Sequence, residues 1–323
     1  MLENSPLVSV IIPNYNHEDF LEQRIQSVLG QTYQHKEVII IDDASTDNSV
    51  SIIGKYANSK VVKKILLRKQ NSGSPFGQWK AGLDYANGQF VWIAESDDYS
   101  DPNFLSDMVE RAVINQAFLA YCQSYDVDQK GEILNDRLNY TEVFDPNIWK
   151  DDFCLSGMEF IEGYLIHKNV IPNVSACLVR QESLKDALSK IPDIIEYQKA
   201  GDWLLWMTIC SLPHSRLCFK SNHLNFFRAS PNNTRSKRSR SHEAQRFFEE
   251  LKIKTSYSHF LHYPKIVKQQ RNRLVRGYFT FLPFSSLPNT FLKLQHILKT
   301  SRYLLWLFFL AYKPLVMIKN LVK

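Results

Sequence analysis

Cysteine is scarce in this sequence, and it does not occur at the spacings of a metal or redox site. The 323 residues include five cysteines, an odd number, with no Cys-x-x-Cys pair and no histidine at metal-ligand spacing. This pattern argues against a disulfide framework. We therefore expect all five to be buried thiols in a reducing cytoplasm. They are Cys122, Cys154, Cys177, Cys210 and Cys218.

Long apolar runs are also lacking at both ends. Residues Met1 to Pro6 contain neither a positively charged segment nor an apolar core, so we predict no signal peptide and a cytoplasmic protein. Near the other end, Tyr303 to Tyr312 are ten apolar and aromatic residues, which is too short to span a bilayer.

Acidic residues are nearly absent from the last third. Residues 228–323 hold 19 Lys and Arg against 3 Asp and Glu, whereas residues 1–227 hold 20 against 30. The basic, aromatic segment 299–319 is suited to shallow burial at an anionic membrane surface, such as the inner face of the cell membrane. A C-terminal helix docked on the core explains the same residues equally well. No recognition motif indicates nucleic acid, so no such partner is expected.

Apolar, β-branched runs alternate with segments of helical periodicity in the first 115 residues. The run Val8 to Pro13 predicts a strand buried on both faces. Apolar residues recur at helical spacing from Asp19 to Gln31, and a second strand follows at Val38 to Ile41. Helices near 49–57 and 77–86 and strands near 64–68 and 90–94 continue the pattern. This alternation predicts an α/β fold with a central, mostly parallel sheet flanked by helices.

Polar residues follow each of the first four predicted strands. Ligands of such sheets collect beyond the carboxyl ends of the strands, so these residues should face one site. They are Asn14-Tyr15-Asn16, Asp42-Asp43, Asn71-Ser72-Gly73 and Glu95-Ser96-Asp97-Asp98.

Two of these strand ends are acidic. Asp97-Asp98 offer the oxygen ligands that Mg²⁺ or Mn²⁺ prefer when they share coordination with phosphates, although a turn or helix cap explains an isolated pair as well. Asp42-Asp43 repeat the arrangement one predicted strand earlier, and like charges repel unless something binds there. A cation at one end and a nucleobase or ribose at the other resolves the repulsion. The pattern therefore suggests a nucleotide diphosphate ligand.

Four motifs, in this order and spacing, resemble the donor-binding half of family 2 glycosyltransferases with the nucleotide-sugar fold (GT-A type, Rossmann-like). The likeness is strong over residues 6–115 and continues to about 235 through Ala200-Gly201-Asp202-Trp203 and Leu224 to Arg228. The four motifs are Pro13-x-Tyr15-Asn16, Gln31-Thr32-Tyr33, Ile41 to Asp47 and Ala94-Glu95-Ser96-Asp97-Asp98.

The resemblance implies sugar transfer, with inversion, from a nucleotide-diphosphate sugar, most commonly a UDP-sugar, to a glycan or lipid-linked acceptor. It implies that Asp43 contacts the base, that Asp97 faces the ribose or pyrophosphate, and that Asp98 ligates Mn²⁺ or Mg²⁺. Asp202 would be the catalytic base, a role that inverting transfer requires of one carboxylate, although a helix N-cap is the structural alternative. The remaining expected donor-binding residues are Pro13, Tyr15, Asn16, Asp42, Asn71, Gly73, Lys80 and Arg228.

The sequence departs from the family pattern in two places. The arginine that many members place after the Asn-x-Gly element is missing from residues 71–82, where Lys80 or Gln78 could donate to phosphate instead. Ser230 stands where relatives often have a histidine that can complete the metal site. The basic stretch Arg235 to Arg240 could fold over a bound diphosphate, or it could be a solvated run of charges.

The expected organisation is a glycosyltransferase domain at 1–235, with a donor half at about 6–115 and an acceptor half at about 116–235, followed by a basic, helical region at 236–323. Two other functions remain open from the residues. One is a catalytically inactive nucleotide-sugar-binding scaffold at the membrane, which Asp98 and Asp202 argue against. The other is a nucleotidyltransferase, which the absence of a Gly-rich phosphate loop after the first strand disfavours.

Overall fold

The computed structural model describes residues 5–171, 173–229 and 240–257. The chain divides into two compact units, Met1–Glu196 with Asp202–Ser230, and Tyr197–Gly201 with Pro231–Lys323. The boundary predicted at 235 and 236 lies outside the described residues, as do segment 299–319 and most of the basic stretch 235–240. None of the helices in the described ranges is long and apolar enough to cross a membrane.

Ten strands of the described residues form one mixed sheet in the first unit. Its order is β3-β2-β1-β4-β9-β6-β10-β5, with β7 pairing with β6 and β8 with β10. The strands are β1 (Val8–Asn14), β2 (Lys36–Asp42), β3 (Val62–Leu67), β4 (Phe90–Ile93), β5 (Tyr99–Ser100), β6 (Leu119–Val127), β7 (Ile133–Asp136), β8 (Phe153–Ser156), β9 (Cys177–Arg180) and β10 (Arg216–Arg228).

Eight α-helices belong to the described residues. Seven lie mainly in the first unit, and α8 belongs to the second. They are α1 (Glu18–Leu29), α2 (Ser49–Gly54), α3 (Pro75–Leu83), α4 (Phe104–Ile114), α5 (Gly157–Phe160), α6 (Gln181–Lys190), α7 (Gly201–Cys210) and α8 (Arg240–Ser256).

The predicted α/β fold is confirmed, and its donor half is parallel as expected. β1 pairs in parallel with both β2 and β4, and β2 with β3, so the polar residues after these strands share one edge of the sheet. Antiparallel pairs come from the second half of the unit, where β9 joins β4 to β6. Every residue of β1 and β2 is buried, which explains the apolar runs Val10 to Pro13 and Val38 to Ile41 at their centres.

The expectation of five free thiols is wrong for one pair. Cys154 and Cys218 form a disulfide, whereas Cys122, Cys177 and Cys210 are buried free cysteines. The two partners lie 64 residues apart in sequence, and the antiparallel register of β8 and β10 places them opposite each other. The pairing depends on this register, which the cysteine spacing does not reveal.

In the second unit, Glu249 of α8 accepts hydrogen bonds from the backbone N–H groups of residues 198–200. The ammonium of Lys252 lies 5.0 Å from the ring centroid of Tyr197. These contacts tie α8 to the short segment Tyr197–Gly201. Within the expected basic region, α8 is the one described helix, and the prediction for the remainder of 236–323 lies outside the described residues.

Candidate active site

Residues Glu95 to Asp98 follow β4, and we call them the acidic end. Protein donors hold the carboxylate of Asp98 there. Its Oδ2 accepts from Asn173 Nδ2 at 2.9 Å, and its Oδ1 accepts from the Arg228 backbone N–H at 2.9 Å. Only 2% of Asp98 is exposed, whereas the neighbouring Asp97 is half-buried. The structure therefore fixes Asp98 and leaves Asp97 as the more accessible of the two carboxylates.

Arg24 of α1 lies beneath this acidic end and is fully buried. Its Nε donates to the carbonyl of Glu95 at 2.8 Å, and its Nη1 donates to Ser100 Oγ at 2.8 Å. Its Nη2 lies 4.0 Å from Asp98 Oδ2. The guanidinium thus compensates a buried carboxylate and fixes the backbone on both sides of it.

The sequence analysis did not select Arg24, although a signal was present. With Leu21, Ile25 and Val28, Arg24 forms the buried face of α1, at the spacing of an apolar helical stripe. A charged residue within such a stripe is rarely buried unless it has a partner. That position therefore pointed to a buried carboxylate on a neighbouring element.

Burial raises the pKa of three carboxyl groups at this site, those of Glu95, Asp97 and Asp98. For Glu95 the pKa rises to about 8, mainly through burial and further through the charge of Asp97. Burial and the charge of Asp97 also raise the pKa of Asp98, whereas the charge of Arg24 lowers it. Bound cations favour the ionised forms of such groups.

Arg228 organises the acidic end from β10, and its side chain is occupied by protein acceptors. The guanidinium donates to the carbonyls of Asp97, Asp128 and Gln129, at 2.7 to 2.8 Å, and to Gln23 Oε1 at 2.6 Å. Its exposure is 1%. The expected contact of this side chain with a donor is therefore replaced, in this arrangement, by a positioning role.

The second acidic end combines Asp43 with the loop after β3. Asp43 Oδ2 accepts from the N–H and the hydroxyl of Ser72, at 2.9 and 2.7 Å, and Oδ1 lies 3.4 Å from Arg68 Nε. Asn71 accepts a hydrogen bond from the Gly73 N–H, and Gly73 has a φ of 71°, which favours glycine. The structure therefore brings Asp43, Asn71 and Gly73 close together, and their contact with a nucleotide stays a prediction.

Asp42 is the last residue of β2, and its side chain joins the carboxyl ends of β1 and β2. Its carboxylate accepts from Asn14 Nδ2 at 2.9 Å and from the Ser45 N–H at 2.9 Å. Asn16, with a φ of 54°, receives the Thr46 N–H on its Oδ1 at 2.8 Å. Asp42 and Asn16 thus shape the loops of this edge.

The other expected donor-site residues differ in accessibility. Pro13 is buried within β1, whereas Tyr15 is 42% exposed at the end of that strand. Lys80 is half-buried on α3 and has no hydrogen bond or ion pair with the described residues. The preceding Trp79 donates its Nε1–H to Glu95 Oε1 at 2.9 Å, which ties α3 to the acidic end.

Asp202 lies in the first turn of α7. One carboxylate oxygen accepts from the Trp203 N–H at 2.8 Å, and the other accepts from Asn169 Nδ2 at 3.1 Å. The pKa of the Cys177 thiol is raised, mainly by burial and further by the charges of Cys122 and Asp202. The Cys177 thiol in turn donates to the carbonyl of Asn173, the residue whose side chain holds Asp98. Cys177 and Asn173 therefore link Asp202 indirectly to the acidic end.

The family model described as glycosyl transferase family 2 matches residues 9–183, more than half of the chain. The match includes both acidic strand ends. The chain belongs to glycosyl transferase family 2.

Relatives from this family support the assignment over part of the chain. The putative teichuronic acid biosynthesis glycosyltransferase TuaG of Bacillus subtilis is 41% identical over 93 residues, which are 29% of this chain and 36% of TuaG. The Escherichia coli protein WfaP, named a UDP-Glc:alpha-D-GlcNAc-diphosphoundecaprenol beta-1,3-glucosyltransferase, is 32% identical over 119 residues, 37% of this chain and 46% of WfaP. The match thus spans less than half the length of each relative.

The fold also resembles that of a solved family relative. The structure of Staphylococcus aureus TarS 1-349 in complex with UDP matches with a TM-score of 0.60 over 89% of this chain and 78% of that chain. The sequence identity is 19%, so the likeness concerns the fold alone. Together with the sheet topology, it confirms the GT-A type of fold in this family 2 member.

The acidic end can hold a divalent cation when a bound diphosphate supplies part of the coordination. No group of three or more His, Cys, Asp or Glu suited to a metal occurs in the part of the chain that the structure describes. Mg²⁺ and Mn²⁺ sites commonly use one or two carboxylates, with phosphate and water oxygens completing the shell. The half-buried Asp97 offers one such carboxylate.

Proposed function

We propose that this family 2 glycosyltransferase is a metal-dependent inverting enzyme. It transfers a sugar from a nucleotide-diphosphate sugar, with a UDP-sugar as first candidate, to a glycan or lipid-linked acceptor in bacterial cell-surface polysaccharide or glycoconjugate assembly. The names of TuaG and WfaP and the UDP complex of TarS support this substrate class. A lipid-linked acceptor would place the enzyme at the inner face of the cell membrane.

One observation carries the proposal. The half-buried carboxylate of Asp97 lies at the carboxyl end of the parallel strands, and Asp202 is a second carboxylate that Cys177 and Asn173 link indirectly to Asp98. A metal-bound diphosphate and an acceptor hydroxyl need two such groups, one beside the phosphates and one at the acceptor.

The adjacent carboxylates Asp97 and Asp98 would have different roles. We place the divalent cation, Mn²⁺ or Mg²⁺, on Asp97, because only 2% of Asp98 is exposed whereas Asp97 is half-buried. Asp98 would then position Asp97 through Arg228. When bound, the cation acts as a Lewis acid that neutralises the leaving diphosphate.

On the acceptor side, Asp202 would take the proton from the attacking hydroxyl. Its second oxygen is oriented by the Asn169 amide, which leaves lone pairs of the carboxylate for the acceptor. On the nucleotide side, Asp43 would hold the base with the Asn71–Gly73 loop, and the exposed Tyr15 would contact the nucleoside. Lys80, which has no partner among the described residues, would donate to the diphosphate.

The test compares Asp97→Asn and Asp202→Asn, with Asp84→Asn as a control on an exposed carboxylate. Asp97→Asn should lose Mn²⁺-dependent nucleotide binding in calorimetry. Asp202→Asn should bind the nucleotide normally but lower kcat for transfer by about 10² to 10⁴, the contribution of a general base. Equal loss of nucleotide binding in both variants would refute this division of roles.

A further inference from the structure

Two cations, Arg137 and Lys168, lie close to one aromatic ring, that of Tyr140. The Lys168 ammonium lies 3.7 Å from the ring centroid of Tyr140, and the Arg137 guanidinium lies 5.2 Å from the same centroid. Arg137 also lies 4.8 Å from the ring centroid of Phe227. We call Arg137 and Lys168 the cation pair.

Two residues around the cation pair, Lys168 and Phe227, are sequence neighbours of residues that contact the candidate catalytic carboxylates. Lys168 directly precedes Asn169, whose Nδ2 donates to Asp202 at 3.1 Å. Phe227, under the Arg137 guanidinium, directly precedes Arg228, whose N–H binds Asp98. The two segments that carry Lys168 and Phe227 therefore also contact Asp202 and Asp98, respectively.

The charges of the pair are unevenly compensated. Arg137 Nη1 pairs with Asp126 Oδ1 at 2.8 Å, and 9% of Arg137 is exposed. Lys168 donates to the Tyr140 carbonyl and forms no ion pair with a carboxylate of the described residues. Burial, and then the charge of Arg137, lower the pKa of the Lys168 ammonium. An anion between the two cations would relieve this repulsion.

We propose that the cation pair binds a phosphate or diphosphate group of the acceptor, so that the acceptor hydroxyl reaches Asp202. Lysine binds phosphate as a point charge, and arginine adds directed donors. This inference rests on the proposed function and specifies its acceptor class. Two sources share the chemistry, a sugar linked to a lipid by a diphosphate and a chain of polyol phosphates.

The experiment titrates the full-length protein, saturated with UDP and Mn²⁺, with three probes in a calorimeter. The probes are geranyl diphosphate, inorganic pyrophosphate and glycerol 3-phosphate. Lys168→Gln removes the charge, Lys168→Arg retains it, and Lys185→Gln is the control on an exposed lysine. The affinity of Lys168→Gln for the probe that binds best should be about tenfold weaker than that of the unchanged protein, as expected for one lost charge-assisted contact. Lys168→Arg should retain most of the affinity, and the control should match the unchanged protein.

Geranyl diphosphate binding better than pyrophosphate would indicate a lipid-linked acceptor, and glycerol 3-phosphate binding best would indicate a polyol phosphate. The inference is overturned when no probe binds to the UDP-loaded protein, when Lys168→Gln binds as tightly as the control, or when the probes bind only by displacing UDP. The last result would assign the pair to the donor diphosphate. Failure of UDP itself to bind would instead contradict the proposed function.

Discussion

Replacing the buried Arg24 with glutamine should cost the protein much of its stability. Arg24 is fully buried, and although burial lowers its pKa to about 10, the guanidinium remains charged at pH 7. The change strips hydrogen bonds from the Glu95 carbonyl and the Ser100 hydroxyl and leaves Asp98 without its buried counter-charge. Breaking a buried ion pair on one side costs about 3–5 kcal/mol.

The assay is urea unfolding at pH 7, followed by tryptophan fluorescence. Lys55→Gln is the control, because Lys55 and Glu22 form an ion pair in which both side chains are exposed, a contact worth about 0–1 kcal/mol. Asp98→Asn combined with Arg24→Gln should cost less than the sum of the single changes, by about 1–3 kcal/mol. A loss no larger for Arg24→Gln than for Lys55→Gln would refute the assignment of Arg24 as the support of the acidic end.

Three further changes test the structure, each by urea unfolding. Glu95 has an ordinary pKa of 4.5 and a pKa of about 8 in the folded state, so between these values the folded chain keeps a proton that the unfolded chain releases. The free energy of unfolding should therefore fall as the pH rises from about 5 to 8. Glu95→Gln should flatten this slope. Asn16→Ala should cost about 1 kcal/mol more than Asn16→Gly, because glycine accepts the φ of 54° without strain; equal costs would contradict this reason. Gly157→Ala should cost about 3 kcal/mol or more, because an added Cβ would lie 1.9 Å from the Cys210 carbonyl oxygen, whereas Gly54→Ala meets no atom within 4 Å and should be harmless.

The sequence was sufficient to predict the donor half of the fold. The buried parallel strands β1, β2 and β4 have unbroken apolar runs, and their periodicity differs sharply from that of α1 and α3. The short antiparallel strands β7 and β8 were missed. β7 is a fully exposed strand of four residues, so its sequence carries no burial pattern.

The candidate site was predictable where a strand end meets a motif, as at Asp43, Asn71, Gly73, Asp97 and Asp98. The supports of these residues were not, because they come from distant segments. Arg24 lies on α1, and Asn173 precedes a short 3₁₀ turn before β9, yet both contact Asp98. Their roles depend on tertiary packing that spacing alone does not specify. The functional roles expected of the site residues stay predictions.

The metal assignment shows the same limit. Adjacent aspartates look equivalent in a sequence, and the resemblance placed the metal on Asp98. Burial distinguishes them in the structure, since only 2% of Asp98 is exposed while Asp97 is half-buried. This distinction led to the proposal that Asp97 holds the cation.

The most direct test of the central claim is calorimetric titration of the purified protein with UDP, GDP, CDP and dTDP, each with and without Mn²⁺. The account predicts that one nucleotide binds when Mn²⁺ is present, that binding weakens strongly without it, and that Asp97→Asn abolishes the difference. Absence of binding by all four nucleotides, or binding that is indifferent to Mn²⁺ and to Asp97→Asn, would contradict it.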